Sequence, residues 1–299
     1  MYKKTLLMPL LAVILSLIAV TPAGAITKNA VPDTEHPYVG LVAFYDANWE
    51  FLWRCSGSLL SPSVFLTAGH CADTGDGAVY ARVYFQQDAG ANYDPALGYD
   101  PVTGYPNECA TGTLGTLCAT SDELYNFGYP AGFPNTHDVG LVILDQAIDM
   151  PEYGELAGAG FLDALATQRG RQEITFTASG YGLSRTNPVF TESYRSRLMA
   201  SSQLVNLRSA LTDGFNVQLQ GNGKGQGGTC FGDSGGPLFY GGYDSNLIVG
   251  VTSFGLNANC TGVDFYYRTD TAEVLAWILE TVAKSTASAE LDDIVIVEA

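Results

Sequence analysis

The chain has 299 residues, of which 31 are Asp or Glu and 14 are Lys or Arg, for a formal net charge of −17. A surface of that sign repels phosphate backbones and anionic lipid heads, which excludes nucleic acid and membrane surfaces as partners. Three histidines, and six cysteines without a Cys-x-x-Cys pair, argue against a metal site; abundant Gly and Tyr among short apolar runs point to an all-β protein with tight turns.

Residues 1–25 have the pattern of an export leader. Lys3 and Lys4 open it, an apolar stretch occupies 10–20, and Ala23-Gly24-Ala25 supplies a small-x-small cleavage pattern. The apolar stretch is too short to span a bilayer comfortably, and nothing later is long and apolar enough to cross one. A mature chain from Ile26 is therefore expected outside the cell or in the periplasm, with no membrane attachment, and its six cysteines then suggest three disulfides.

Strand-like runs follow at 39–45, 57–60, 64–68, 79–86, 139–144, 173–179, 198–205 and 247–254, separated by Gly, Pro, Asn and Asp clusters. Such spacing favours a sandwich or barrel over alternating strands and helices. Residues 87–135 break the rhythm with a Gly, Pro, Tyr, Asp and Thr-rich stretch containing Cys109 and Cys118. A loop that long needs a staple or a role, and it is either a surface insertion or a substrate-contacting excursion. Near the end, Asp270 and Glu273 form a capping box ahead of Val274, Leu275, Ile278 and Leu279, which predicts a helix. Residues 284–299 are expected to be a flexible acidic tail, although the apolar run 294–297 could pair with a sheet edge.

Three motifs carry chemistry. Gly232-Asp233-Ser234-Gly235-Gly236-Pro237 places a hydroxyl among glycines, whose backbone freedom lets the N–H groups of Gly232 and Ser234 aim at one developing oxyanion. Leu66-Thr67-Ala68-Gly69-His70-Cys71 offers an imidazole, the group whose pKa suits general base work near neutrality. In His137-Asp138-Val139-Gly140, an aspartate opens an apolar strand and needs a partner for its carboxylate. Taken singly, each has a plainer reading: a glycine-rich turn, a structural histidine, an acid at a turn.

The chain order His, Asp, Ser and the residues around each resemble the trypsin-like (chymotrypsin) family of serine proteases, of the bacterial secreted type, over roughly residues 26–283. That resemblance implies two six-stranded antiparallel β-barrels with the active site between them and a C-terminal helix on one barrel. It implies a monomeric serine endopeptidase acting on protein or peptide substrates without cofactor or metal. His70, Asp138 and Ser234 would form the triad, Ser253 would support Asp138, and the N–H groups of Gly232 and Ser234 would form the oxyanion hole. By the same match Cys55 would bridge to Cys71 and Cys230 to Cys260; elimination and a short loop then leave Cys109 with Cys118.

The expected substrate-contacting positions are Gly228, Thr229, Phe231, Phe254, Gly255 and Asp264, with Phe254 and Gly255 offering backbone pairing to an extended peptide. Gly228 stands where an acid would mark a basic-specific pocket. Asp264 inside the pocket would attract Lys or Arg, Phe265 inside would favour small apolar residues, and Asp264 on a solvated turn would do neither; strand alternation alone does not choose. The family opens with Ile-Val-Gly-Gly, its freed ammonium pairing with the acid before the nucleophile. Here Ile26 and Asp233 supply that activation pair, but Lys28 and Asn29 replace the glycines. A protease-like binding protein would be marked by loss of a triad member, and none is lost. An esterase would share the chemistry and differ in substrate.

Overall fold

The computed structural model describes residues 26–89, 103–105, 109, 117–167, 174–184, 186–187, 190–191, 195–221, 223 and 225–298. Residues 1–25, and within the 87–135 stretch residues 90–102, 106–108 and 110–116, lie outside the described residues. Residues 39–45 form a strand as predicted, wholly buried because its apolar side chains face packed neighbours on both sides. It pairs with strands Phe51–Leu59 and Tyr80–Tyr84 in one antiparallel sheet. Phe51–Leu59 pairs with Val64–Thr67, which pairs with Gly140–Ile143.

Strands Cys118–Ser121 and Glu123–Asn126 lie inside the stretch expected to be a loop. They are two arms of one bent run. The first pairs with Tyr80–Tyr84 and the second with Gly140–Ile143, so the bend at Asp122 brings the sheet round into a nearly closed barrel. Its polar composition concealed it, because Thr120, Ser121, Glu123 and Asn126 give no apolar alternation.

The second barrel closes fully: strands Pro237–Tyr240, Thr175–Gly180, Leu198–Asn206, Asn216–Gln220, Val263–Arg268 and Leu247–Gly255 pair in that order, and the last returns to the first. The chain thus has the expected all-β architecture of two barrels with a helix at the C-terminal end. Three disulfides staple it, Cys55–Cys71, Cys109–Cys118 and Cys230–Cys260.

The helix runs Ala272–Lys284, but its cap is Thr271, whose hydroxyl accepts from the Val274 N–H at 3.3 Å. Asp270, expected as the cap, is drawn instead to the Arg268 guanidinium through two 2.7 Å bonds and also accepts from the Leu162 N–H. A buried cation is the stronger partner for a buried carboxylate. Val274, Leu275, Ile278 and Val282 are the buried face.

The segment beyond Lys284 differs from the free tail expected. Ile296 and Val297 pair in parallel with Leu156 and Ala157, Ile294 is buried, and the Glu290 carboxylate accepts from the Ser61 hydroxyl and from the hydroxyl and N–H of Ser63. The apolar run pairs because it satisfies a three-residue strand that otherwise has an open side.

Between the barrels lies a buried polar cluster that no motif announced. His36 Nδ1 meets both Asp33 oxygens at 2.9 Å, and Ser179 donates to Asp33. Arg197 donates to the carbonyls of Asp33, Val39 and Phe85, each at 3.0 Å. Burial alone would raise the Asp33 pKa, but the His36, Ser179 and Arg197 interactions hold it below the ordinary carboxylate value.

Candidate active site

The register Thr67↔Gly140 fixes the first half of the site. Because the two strands are antiparallel, the chain leaving Thr67 towards His70 lies beside the chain entering Gly140 from Asp138. Gly140 must lack a side chain, since a Cβ there would stand 2.7 Å from the Ala68 carbonyl oxygen. The Cys55–Cys71 bridge ties the residue after His70 back to the neighbouring strand. His70 then donates its main-chain N–H to Asp138 Oδ1 at 2.8 Å, and its Nδ1 lies 3.0 Å from both carboxylate oxygens.

Asp138 is 1% exposed and also accepts from the Ser253 hydroxyl. With Nδ1 engaged, the imidazole presents Nε2 as its free nitrogen. Burial draws the His70 pKa down, but the Asp138 charge and hydrogen bond outweigh it and raise it above the ordinary imidazole value.

Ser234 comes from the second barrel and is partly exposed. Its carbonyl accepts from the Ser56 N–H at 2.8 Å, while the Ser56 hydroxyl donates to the Gly232 carbonyl at 2.8 Å. Gly235 has φ +78°, and a Cβ on it would fall 2.1 Å from the Thr67 hydroxyl and 2.6 Å from the Ala68 nitrogen. Only glycine lets the serine turn pack this tightly on the histidine strand. Thr252, next to Ser253, exchanges main-chain bonds with Gly235 and Gly236. The serine, histidine and aspartate segments are thus laced together.

Gly232, at φ +94°, has its carbonyl tied to Ser56. The N–H groups of Asp233, Gly235 and Gly236 all have main-chain partners, whereas those of Gly232 and Ser234 have none among the described residues. Two unpaired donors two residues apart can serve an oxyanion.

Ile26 is fully buried beside Asp233, which is also fully buried. Asp233 accepts from the N–H groups of Gly182 at 2.8 Å and Cys230 at 2.9 Å. Burial pushes its pKa up to about 7 against the pull of those N–H groups and that of Ile26, and the Asp264 charge adds to the rise. With Ile26 buried, Lys28 and Asn29 adopt φ +58° and +47° themselves. The strain that glycine would avoid is borne by non-glycine residues.

A cavity of about 420 Å³ opens beside Ser234. Thr229, Phe231, Phe254, Gly255 and Asp264 line it, and Phe231 and Leu256 stand exposed among its walls. Asp264 lines the cavity, whereas Phe265 is buried outside it, stacked on Phe254 at 4.5 Å. Gly228, expected to touch substrate, lies behind the wall instead: a Cβ there would meet Asp264 Oδ2 at 2.3 Å, and both its main-chain groups bond Thr27. Burial raises the Asp264 pKa to about 6, against the Thr229 N–H that lowers it. The cluster Cys55, His70 and Cys71 has metal-ligand types, but its sulfurs are bonded to each other. Ser56 was missed in the sequence because a serine beside a cysteine on a strand carries no motif.

The chain resembles known proteins over most of its length. The trypsin family matches residues 26–278. The chain is similar to Serine protease 7 of Drosophila melanogaster, 28% identical over 254 residues, covering 83% of this chain and 62% of that protein. It is similar to Brachyurin of Leptuca pugilator, 29% identical over 213 residues, covering 70% of this chain and 79% of that one. Among solved structures, HL collagenase superposes with a TM-score of 0.61 at 20% identity, covering 87% and 97% of the two chains. A mutant of human heparin binding protein superposes at 0.58 and 17% identity, covering 88% and 96%; at these identities both share the fold. These named sequence relatives are animal proteins, so the bacterial subtype expected from the sequence finds no support. The chain belongs to the trypsin family of serine endopeptidases.

Proposed function

We propose that the chain is a secreted serine endopeptidase that cleaves after Lys or Arg, with Ser234, His70 and Asp138 as its triad. The observation that carries the reading is the His70–Asp138 contact, 3.0 Å from Nδ1 to both oxygens, with Ser253, which donates to Asp138, lining the same cavity as Ser234. His70 Nε2 takes the Ser234 hydroxyl proton as the oxygen attacks the scissile carbonyl, and returns it to the leaving amine. Water repeats the sequence to release the acid. Asp138 keeps the proton on Nδ1, and the N–H groups of Gly232 and Ser234 stabilise the oxyanion.

Asp264 supplies the pocket with a charge that favours a cationic side chain before the scissile bond. Leader removal before Ile26 would free its ammonium beside Asp233. Three disulfides and the leader-like residues 1–25 support an extracellular site of action. A cleavage profile of the mature chain on a random peptide library tests the reading. Internal cleavage after Lys and Arg is expected; cleavage confined to small apolar residues would contradict the pocket assignment, and absence of cleavage would contradict the activity.

A further inference from the structure

Two successive main-chain amides ahead of Ser234 are held by two different buried carboxylates. The Thr229 N–H donates to Asp264 Oδ2 at 2.9 Å, and the Cys230 N–H donates to Asp233 Oδ2 at 2.9 Å. Every neighbour is pinned as well. Gly228 bonds Thr27 twice, the Phe231 carbonyl accepts from Leu183, the Gly232 carbonyl accepts from Ser56, and the Asp233 N–H reaches the Cys230 carbonyl. Thr229 is 7% exposed, so its N–H has little water to turn to if the carboxylate is taken away.

The surroundings of Asp264 are cleared for this bond. A Cβ at Gly221 would stand 2.4 Å from Asp264 Oδ2, and one at Gly228 would stand 2.3 Å from it. Any side chain at either position would displace the oxygen from the Thr229 N–H. An acid needed only as a charge in the pocket has no use for two bare walls and a main-chain bond. Among the described residues no hydrogen bond engages Oδ1, so one oxygen is committed to the backbone and the other is left for a ligand.

We propose that Asp264 is a positioning residue for the oxyanion site as well as the acid of the pocket. Its Oδ2 fixes Thr229, and through the pinned stretch Thr229–Gly232 it fixes where the N–H groups of Gly232 and Ser234 point. This rests on the endopeptidase reading given above, because it presumes that those two N–H groups bind the oxyanion.

The test uses a small dialkyl fluorophosphonate, which phosphonylates Ser234 with loss of fluoride and has no side chain to reach the pocket. Its labelling rate constant, divided by the fraction folded measured on the same sample, reads the oxyanion site without reading pocket charge. Asp264→Ala should be labelled about tenfold more slowly or worse, whereas Asp264→Asn, whose amide oxygen can accept the same N–H, should stay within about threefold of the wild type. Gly221→Ala keeps the charge but moves Oδ2, and should also be slow; it serves if Asp264→Ala does not fold. Wild-type labelling with an unchanged rate in Asp264→Ala or Gly221→Ala would overturn the proposal, as would Asp264→Asn as slow as Asp264→Ala. A wild-type chain that is not labelled at all would overturn the endopeptidase reading and the proposal together.

Discussion

Thr27 and Gly228 exchange both of their main-chain hydrogen bonds, at 2.7 and 2.9 Å, and so fasten the start of the domain to the segment that leads to Ser234. One residue earlier, Ile26 is buried against Asp233. With Ile26 in peptide linkage, the Asp233 carboxyl has a raised pKa of about 7 against 3.8. A raised acid favours the folded state only while it is protonated. Stability from this group is therefore full below about pH 4 and is lost as pH rises through 7, at most about 4 kcal/mol. A free ammonium at Ile26 would supply the missing counter-charge. A mature chain extended by one Met should thus lose most of its kcat and become less stable between pH 4 and 7, relative to the natural start. Equal kcat for the two forms, compared in a peptide hydrolysis assay, would show that the oxyanion site does not depend on this ammonium.

Lys28 and Asn29 occupy left-handed backbone where glycine is strain-free. Lys28→Gly should raise stability by about 0.5–1 kcal/mol, the relief of strain being partly offset by the entropy of a glycine in the unfolded chain. Thermal unfolding of the mature chain reads this directly, and a clear fall in Tm would contradict the strain argument.

As the pocket acid of the proposed function, Asp264 would make the specificity pH-dependent. Asp264 has a pKa raised to about 6, so it is ionised above that value and neutral below it. KM for substrates with Lys or Arg before the scissile bond should rise as pH falls below 6, while KM for substrates with a neutral residue there should not follow. Asp264→Asn should abolish the difference between the two substrate classes. A basic-substrate KM that is flat from pH 5 to 8 would remove Asp264 from substrate recognition.

The legible parts of this protein were those where chemistry forces short, unusual sequences. A histidine flanked by glycine and a bridged cysteine, an aspartate opening an apolar strand, and a serine among glycines each violate ordinary strand or turn composition. Parity on the strand carrying Asp264 and Phe265 was not legible, because it depends on a register shift between Thr252 and Phe254 in the neighbouring strand. The strand arms Cys118–Ser121 and Glu123–Asn126 were hidden by polar residues, and the Asp33–His36 pair by its place in a turn-like stretch. The fate of residues 294–297 depended on a three-residue partner strand too short to show a pattern.

That last segment is separable from the chemistry. Ending the chain at Lys284 removes the Ile294 burial, the Ile296–Val297 pairing and the Glu290 bonds to Ser61 and Ser63. The expected cost is about 2–3 kcal/mol, or roughly 5–10 °C in Tm. Since none of these groups touches Ser234, His70 or the cavity, kcat per folded molecule should be unchanged. A truncated chain that folds stably but loses kcat would show that this strap reaches the active site.

The central claim is that Ser234 is the nucleophile, and hydrolysis of a Lys- or Arg-containing peptide by the mature wild-type chain and by Ser234→Ala tests it most directly. The substitution deletes one partly exposed oxygen, so Tm should be unchanged. Activity should fall by about 10⁴-fold or more. A correctly folded Ser234→Ala chain that cleaves the peptide at the wild-type rate would contradict the account.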